Sequence, residues 1–396
     1  MKATVPAIPK TVWALGFVSL FMDISSEIIH ALLPLFMTTT LGLSVALVGL
    51  IDGIAESTAS IVKVFSGYIS DRLGKRKPLI LLGYGLGALS KPLFPLAAGL
   101  LPVLIARFSD RIGKGIRGAP RDALVADVTP PEIRGRAFGL RQSMDTIGAF
   151  LGPVFAIGLM VAFSNDMRAV FWIATIPAVL AVFCVLFWVE DSTSSKGTAR
   201  VPITLAELRQ LGQNYWVVVA IGAVFSLARF SEAFLILKAS EEGLPLWLAP
   251  LVLIAMNLVY AVGAYPAGIL SDRVNARNMF FWGVAMLILA DIVLANFSGL
   301  AATFGGICLW GLHMALTQGL LAKLVADNAP ERLRGSAFGL FNLATGISLL
   351  FASVAAGLIW DKFGPDASFM AGAFVAFLCA IMLIFWQQPE RTSVST

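Results

Sequence analysis

Charge is what this sequence has least of. Only 13% of its 396 residues are Asp, Glu, Lys or Arg, about half the share of a soluble domain, near 25%. A water-soluble surface of ordinary composition is therefore excluded. Histidine is nearly absent: His30 and His313 are the two in the chain, too few for a histidine-based metal centre. The three cysteines, Cys184, Cys308 and Cys379, each sit inside an apolar run. Neither disulfide nor metal-ligand spacing is present, and they read as small buried hydrophobes. No His-Glu-x-x-His, no Gly-x-Ser-x-Gly and no phosphate-binding Gly-x4-Gly-Lys-Ser/Thr occurs, which removes the commonest routes to a metalloprotease, a serine hydrolase or a nucleotide-driven pump. No cofactor and no metal is expected.

What is abundant is apolar surface. Hydrophobic residues make up 58% of the chain and its mean hydropathy is +0.84, values of the membrane class. A membrane helix needs about 20 apolar residues. Twelve such runs are found, near 12–38, 44–69, 78–99, 101–122, 137–163, 168–189, 215–239, 247–270, 278–297, 300–322, 336–360 and 367–387. The polar stretch 190–214 divides them into 1–189 and 215–396, two sets of six. The Lys and Arg residues outside the runs are strongly sided. Eighteen fall on the side of both termini, and only Arg168, Lys238 and Lys362 fall on the other. The positive-inside rule makes the first side, with both termini, cytoplasmic. Lys2 and Lys10 ahead of the first run suit a retained helix rather than a cleaved signal. The net charge of +5 is thus spent on topology, and no nucleic-acid partner is implied.

The chain also repeats itself. Leu124–Leu140 reads LVADVTPPEIRGRAFGL and Leu324–Leu340 reads LVADNAPERLRGSAFGL, with eleven of seventeen positions identical at a spacing of 200. Gly67-Tyr-Ile-Ser-Asp71-Arg72 matches Gly268-Ile-Leu-Ser-Asp272-Arg273 at a spacing of 201. Both pairs follow spans two and four of their halves. Parallel repeats of this kind are related by an axis along the membrane normal, with the substrate site near the midplane where the repeats meet.

These residues resemble the major facilitator superfamily. Gly67-x-x-x-Asp71-Arg72-x-Gly74-x-Arg76 is similar to its loop 2–3 signature, and the second copy keeps Asp272, Arg273 and Arg277 but has Asn275 where Gly is usual. Arg107-Phe-Ser-Asp110-Arg111-Ile-Gly113 resembles the fourth-helix motif, departing from it at Asp110 and Arg111, where Gln and Gly are usual. Gly148-x-x-x-Gly152-Pro153 resembles the fifth-helix motif of proton-driven antiporters without its trailing Gly pair. The resemblance implies an all-α integral membrane fold of twelve transmembrane helices in two pseudo-symmetric six-helix bundles. It also implies a secondary active transporter of the cytoplasmic (inner) membrane, working by alternating access as a monomer, with a small-molecule substrate, protons and the lipid bilayer as partners. The loop residues would latch a cytoplasmic gate, because carboxylate and guanidinium at helix ends form charge-assisted bonds.

Charges at membrane depth are functional hypotheses by default. They crowd the first half: Asp23, Glu27 and His30 on span one, Asp52, Glu56 and Lys63 on span two, Lys91 on span three, Arg107, Asp110, Arg111, Lys114 and Arg117 on span four, and Arg141 and Asp145 on span five. Spacings of three, four and seven put the members of spans one and two on one helix face each. The second half has only Arg229, Glu232 and Asp291 at similar depth, Asp291 lying 200 residues after Lys91. This predicts that the first half handles protons and gating while the second shapes the substrate site, with Asn257, Tyr260, His313, Gln318 and Asn342 as candidates. A carboxylate that alternates between a dry and an Arg-paired surrounding loads and unloads a proton. Asp23 and Glu27 opposing Arg107 or Arg111 are the predicted constellation. The fifth-span motif favours proton-coupled efflux of a small amphipathic or anionic compound. The mixed charges equally allow uptake of an organic anion or a siderophore-like metabolite. A membrane enzyme or a non-transporting receptor is the remaining alternative, since fold does not fix function.

Overall fold

A membrane interior offers no water to backbone polar groups, so a chain this apolar must close its hydrogen bonds locally, in helices. The computed structural model describes residues 7–191, 211–330 and 333–386, and among them all regular structure is helical. Twelve long helices carry the fold: α1 (Lys10–His30), α2 (Val45–Leu73), α3 (Lys77–Ser90), α4 (Leu100–Val128), α5 (Arg134–Ala162), α6 (Met167–Trp188), α7 (Gln213–Ala228), α8 (Leu251–Arg273), α9 (Ala276–Asn296), α10 (Leu300–Asn328), α11 (Arg334–Phe363) and α12 (Pro365–Phe385). Eleven spans among the described residues are long and apolar enough to cross a membrane, each built on one of these helices; α4 is the exception, because of its charges.

Three spans are interrupted where the sequence reading has them continuous. The first bends after His30, at Ala31–Leu32, and resumes as Leu33–Leu35 and a π-helical turn Phe36–Thr40, with Pro34 unable to donate into the preceding turn. The third stops at Ser90 and resumes at Leu93–Leu96 past Pro92. The seventh stops at Ala228, leaves helical geometry through Arg229–Ser231 and resumes as Ala233–Glu241. Helices α4 and α10 run past the expected ends at 122 and 322, to Val128 and Asn328.

The chain forms two compact units. In the first, α1 packs against α5 and α6, and α4 lies against α2 and α3. Its apolar core gathers Val12, Leu15, Val18 and Met22 of α1 with Ile80 and Tyr84 of α3 and Val185 of α6. In the second, α9 packs against α10 and α12, and α7 against α11 and α12. The division is not the single break within 190–214 that the sequence suggests. Ser231–Ile254 joins the first unit, because the break after Ala228 lets Ala233–Glu241 pack on Leu33–Leu35 and on α2. Of the expected linker, 192–210 lies outside the described residues. Asp191, just before it, caps α3: its Oδ1 accepts from the backbone N–H groups of Arg76 (3.0 Å) and Lys77 (3.3 Å).

Candidate functional site

Five buried charges of the first unit, together with Glu56, form one ladder across four helices. Lys91, at the end of α3, donates from Nζ to Ser26 Oγ (2.9 Å) on α1 and to Asp110 Oδ1 (2.8 Å) on α4. Asp110 faces Arg111 at 3.7 Å, and Arg111 reaches Glu56 on α2 at 3.1 Å. Glu56 also lies 3.8 Å from Arg107, which pairs with Asp52 at 3.1 Å. Ser231, in the break after α7, closes the ladder by donating to Asp52 Oδ2 at 2.8 Å. Lys91, Asp110, Arg107, Arg111 and Asp52 are all buried. At this density each charge is neutralised by its neighbours, which is what makes burial tolerable. Arg107 and Arg111 therefore pair with α2, and not with Asp23 and Glu27 of α1 as expected from the sequence. The spacing on α4 and α2 carries the reason: residues 107 and 111 share a helix face, as do 52 and 56, and the two faces meet.

Asp23 and Glu27 stand beside the ladder. Glu27 Oε2 is 3.5 Å from His30 Nδ1 on the next turn. Asp23 is half-buried and closes no ion pair with a described residue; Lys114, Arg121 and Arg117 attract it through space, and Asp145 repels it. Lys114 is exposed, whereas Arg107, Asp110, Arg111 and Arg117 on the same helix are buried. Arg111 repels it through space, Glu56, Asp23 and Glu27 attract it, and it too closes no ion pair with a described residue. The fifth-span motif explains how α5 comes so near this pair. A Cβ on Gly148 would stand 2.7 Å from Leu20 O and 3.0 Å from Asp23 Cβ; one on Gly152 would stand 2.6 Å from Glu27 Cβ. Only glycine lets α5 lie on α1 there. Pro153, also on α5, is buried.

A second polar cluster, toward the loop ends of α4 and α5, is less legible from sequence. Arg121 donates to Ser19 Oγ (2.8 Å) and Tyr84 Oη (3.4 Å), and lies 3.3 Å from Asp122 and 3.7 Å from Asp145. Arg141 pairs with Asp145 one turn on, at 2.5 Å. Arg117 is buried with its guanidinium 4.6 Å from the centre of the Tyr84 ring. Ser19, Ser26, Tyr84 and Ser231 carry no charge and no motif, so residue type alone could not have picked them out.

The two signature loops are built differently. Gly74 ends α2 with φ +65°, a left-handed conformation glycine adopts freely, and its N–H reaches Ser70 O at 3.2 Å. Arg76 then donates to Ser70 Oγ (2.7 Å) and pairs with Asp127 on α4 at 3.3 Å. Arg72 is exposed, and Gly67 passes close to Ala119. In the second copy Asn275 does not imitate Gly74: it caps α9, its Oδ1 accepting from Arg277 N at 2.9 Å. Arg277 donates to Leu383 O and Ile384 O, both at 2.6 Å, at the end of α12. The side chains of Asp71, Asp272 and Arg273 lie outside the described residues, so the predicted latch has only its arginine partners on view.

The second unit is dry by comparison. Gln318 and Asn342 line a cavity of about 260 Å³ with Arg229, Phe225, Thr317, Phe338 and Phe341. Asn257 and Tyr260 on α8 are half-buried and do not line it. Glu232 is half-buried in the first unit. His313 is fully buried between Trp310 and Phe225, with neither ring nitrogen hydrogen-bonded. Asp291 is fully buried on α9 and both its oxygens lack a partner. Among the described residues no group of three or more His, Cys, Asp or Glu could hold a metal ion.

Known proteins fit this arrangement along the whole chain. An uncharacterized MFS-type transporter of Methanocaldococcus jannaschii is 32% identical over 384 residues, covering 95% of this chain and 94% of its own. The inner membrane transport protein YajR of Escherichia coli is 24% identical, covering 98% and 86%, and the multidrug resistance protein MdtH of Salmonella typhi 22%, covering 92% and 91%. Among solved structures, a nucleoside transporter, NupG, superposes with a TM-score of 0.77 at 12% identity, covering 94% of this chain and 99% of its own. The human organic anion transporter MFSD10 does so with 0.65 at 17%, covering 96% and 100%. The family model of the Major Facilitator Superfamily matches residues 15–258 and 243–396. With its helices, its duplicated loops and these relatives in agreement, the chain belongs to the Major Facilitator Superfamily and is a multi-pass membrane transporter.

Proposed function

We propose that this transporter is a proton-coupled exporter of a small amphipathic compound from the cytoplasm, acting as a monomer in the cytoplasmic membrane with both termini inside. The observation that carries the reading is the pair Asp23 and Lys114. Neither closes an ion pair with a described residue, and each feels opposite charges through space: Lys114, Arg121 and Arg117 on Asp23, and Glu56, Asp23 and Glu27 on Lys114. The ladder from Lys91 to Ser231 is already satisfied and has little to offer a substrate. An unsatisfied carboxylate serves a substrate and a proton alike, but not both at once. Competition for Asp23 then makes proton entry and substrate exit two halves of one cycle, which is antiport. The multidrug name of MdtH is in keeping with an amphipathic cargo.

Lys114 favours a second reading. A proton on Asp23 leaves the Lys114 charge unopposed by that carboxylate, so an organic anion, a siderophore-like metabolite among them, would bind together with the proton. That is symport, and the direction is uptake. The name of MFSD10, an organic anion transporter, accords with this version.

The two differ in sign. Purified protein in weak buffer with a pH dye should release protons on binding an amphipathic cation such as ethidium. If symport is correct, it takes protons up on binding benzoate. In vesicles under an imposed pH gradient, Asp23→Asn and Glu27→Gln should abolish gradient-driven flux and leave folding intact. Undiminished flux in both variants would sink the coupling assignment, and flux without any gradient dependence would sink proton coupling as a whole.

A further inference from the structure

Asp291 belongs to no part of the mechanism above, yet among the described residues of the second unit it is a charged group with both oxygens unpartnered. It is fully buried on α9, and neither carboxylate oxygen has a hydrogen-bond partner. The elements around it are α10, α12 and the end of α7. Their titratable and charged groups are Cys308, His313, Lys323 and Asp327 on α10, Asp366 and Cys379 on α12, and Arg229 after α7. None of them bonds to Asp291, and no neighbouring charge acts on it. A carboxylate at this depth is costly unless something neutralises it.

What does face Asp291 is the broken end of α7. The helix stops at Ala228 and the chain leaves helical geometry through Arg229–Ser231. The carbonyls of a last turn lack intrahelical donors and carry the negative end of the helix dipole. Gly372 on α12 lets the two meet. A Cβ there would stand 2.8 Å from Asp291 Oδ2, 2.9 Å from Phe230 Cε1 and 3.4 Å from Ala228 O. Two oxygens and one ring edge thus converge on a notch the size of a methyl group. The formal charge converging there is that of a single carboxylate, and among the described residues no second charge acts on it. Hard divalent cations take more charged oxygens than that. Half-helix C-terminal ends facing a lone carboxylate suit a singly charged cation.

We propose that Asp291 and the carbonyl end of α7 form a monovalent-cation site in the second unit, occupied by a proton on the carboxyl or by a sodium ion. The occupant neutralises Asp291 and ties α9 and α12 to the end of α7. Its release requires the Arg229–Ser231 break to move Ala228 and Phe230 off the carboxylate. The site lies in the other unit from Asp23 and is read by binding alone, so it stands or falls apart from the export reading.

The test uses the full-length protein in lipid nanodiscs. Infrared difference spectra are recorded across a pH titration, and thermal midpoints are measured in NaCl and in KCl. A proton occupant gives a carboxyl carbonyl band that titrates in the wild type and is missing from Asp291→Asn, with equal midpoints in the two salts. A sodium occupant gives a saturable rise of the midpoint in NaCl only, lost in Asp291→Asn. In either case Gly372→Ala fills the notch and weakens the response about tenfold or more. A wild type with neither a titrating band nor a sodium response overturns the proposal. So does an Asp291→Asn variant that keeps the wild-type response. Should Asp291→Asn fail to fold, an unchanged response in Gly372→Ala overturns it as well.

Discussion

At the end of α3 the first unit places Lys91, and 200 residues on, in α9, the second places Asp291. Both are buried almost completely. Lys91 bonds to Ser26 and Asp110 and through Asp110 joins a ladder reaching Ser231. Asp291 bonds to nothing described. Duplication thus kept an ionisable residue at equivalent positions and reversed both its sign and its surroundings. In the first unit buried charge is held by other charge. In the second it stands without a described partner, beside Phe230, which itself packs on Trp310 and Phe369.

The sharpest way to break the comparison is to remove both residues' charge. Lys91→Met leaves Asp110 buried without its nearest cation, and losing one partner of a buried pair costs about 3–5 kcal/mol. The expected result is a large fall in thermal midpoint, recovered in part by the double variant Lys91→Met/Asp110→Asn. Asp291→Asn removes a charge that no described side chain pairs with, and in KCl its midpoint should stay level or rise. A stable Lys91→Met protein would mean that the ladder is not what holds the first unit's charges.

The ladder's far end is Ser231, and it tests whether the broken span contributes to the first unit. Ser231→Ala removes a hydrogen bond to a charged group, worth about 1.5–3 kcal/mol. Asp52 keeps Arg107 at 3.1 Å, so the loss should lie toward the lower figure. Hydrogen exchange of Ala233–Glu241 should quicken in this variant while that of α3 and α6 does not. Equal exchange throughout would detach the segment from the ladder.

Smaller again is the effect of crowding α5 onto α1. Gly152→Ala would press on Glu27 Cβ, and overpacking a tight contact costs about 1–3 kcal/mol. Most of that should relax through the helices, so stability is expected to fall little and pH-gradient-driven flux to fall several-fold. Gly158, one face further along α5, has open space around it; Gly158→Ala should change neither, and is the control.

The helices and their duplication are legible because apolar runs of membrane length and a 200-residue repeat are one-dimensional signals. The ladder is half legible. The spacing of Asp52 and Glu56, and of Arg107 and Arg111, marks two charged faces but not which faces meet. The pairing passed to α2 rather than α1 because tertiary approach decides it. Ser26 and Ser231 could not be foreseen, since a serine in an apolar helix usually returns its hydroxyl bond to its own backbone, as Ser90 does to Gly87 O. The interruption of the seventh span was hidden for a related reason. No proline marks Arg229–Ser231, and a charged residue inside an apolar run reads as a site before it reads as an end.

The loops offer the finest test, because there the two copies agree in sequence and differ in structure. Arg76 joins α4 through Asp127 at 3.3 Å, whereas Arg277 caps the carbonyl end of α12 at 2.6 Å. A partly exposed ion pair is worth about 0.2–1 kcal/mol and weakens with salt. A guanidinium at a helix C-terminus is worth about 0.3–1 kcal/mol, and its bonds to carbonyls do not need a second charge. Arg76→Gln and Arg277→Gln should therefore lower the thermal midpoint by similar small amounts in low salt. Raising the salt to molar concentration should erase the difference between Arg76→Gln and the wild type, and leave most of that between Arg277→Gln and the wild type. If both deficits vanish in salt, the second arginine is acting as a charge like the first, and the loops are equivalent in energy despite their different partners.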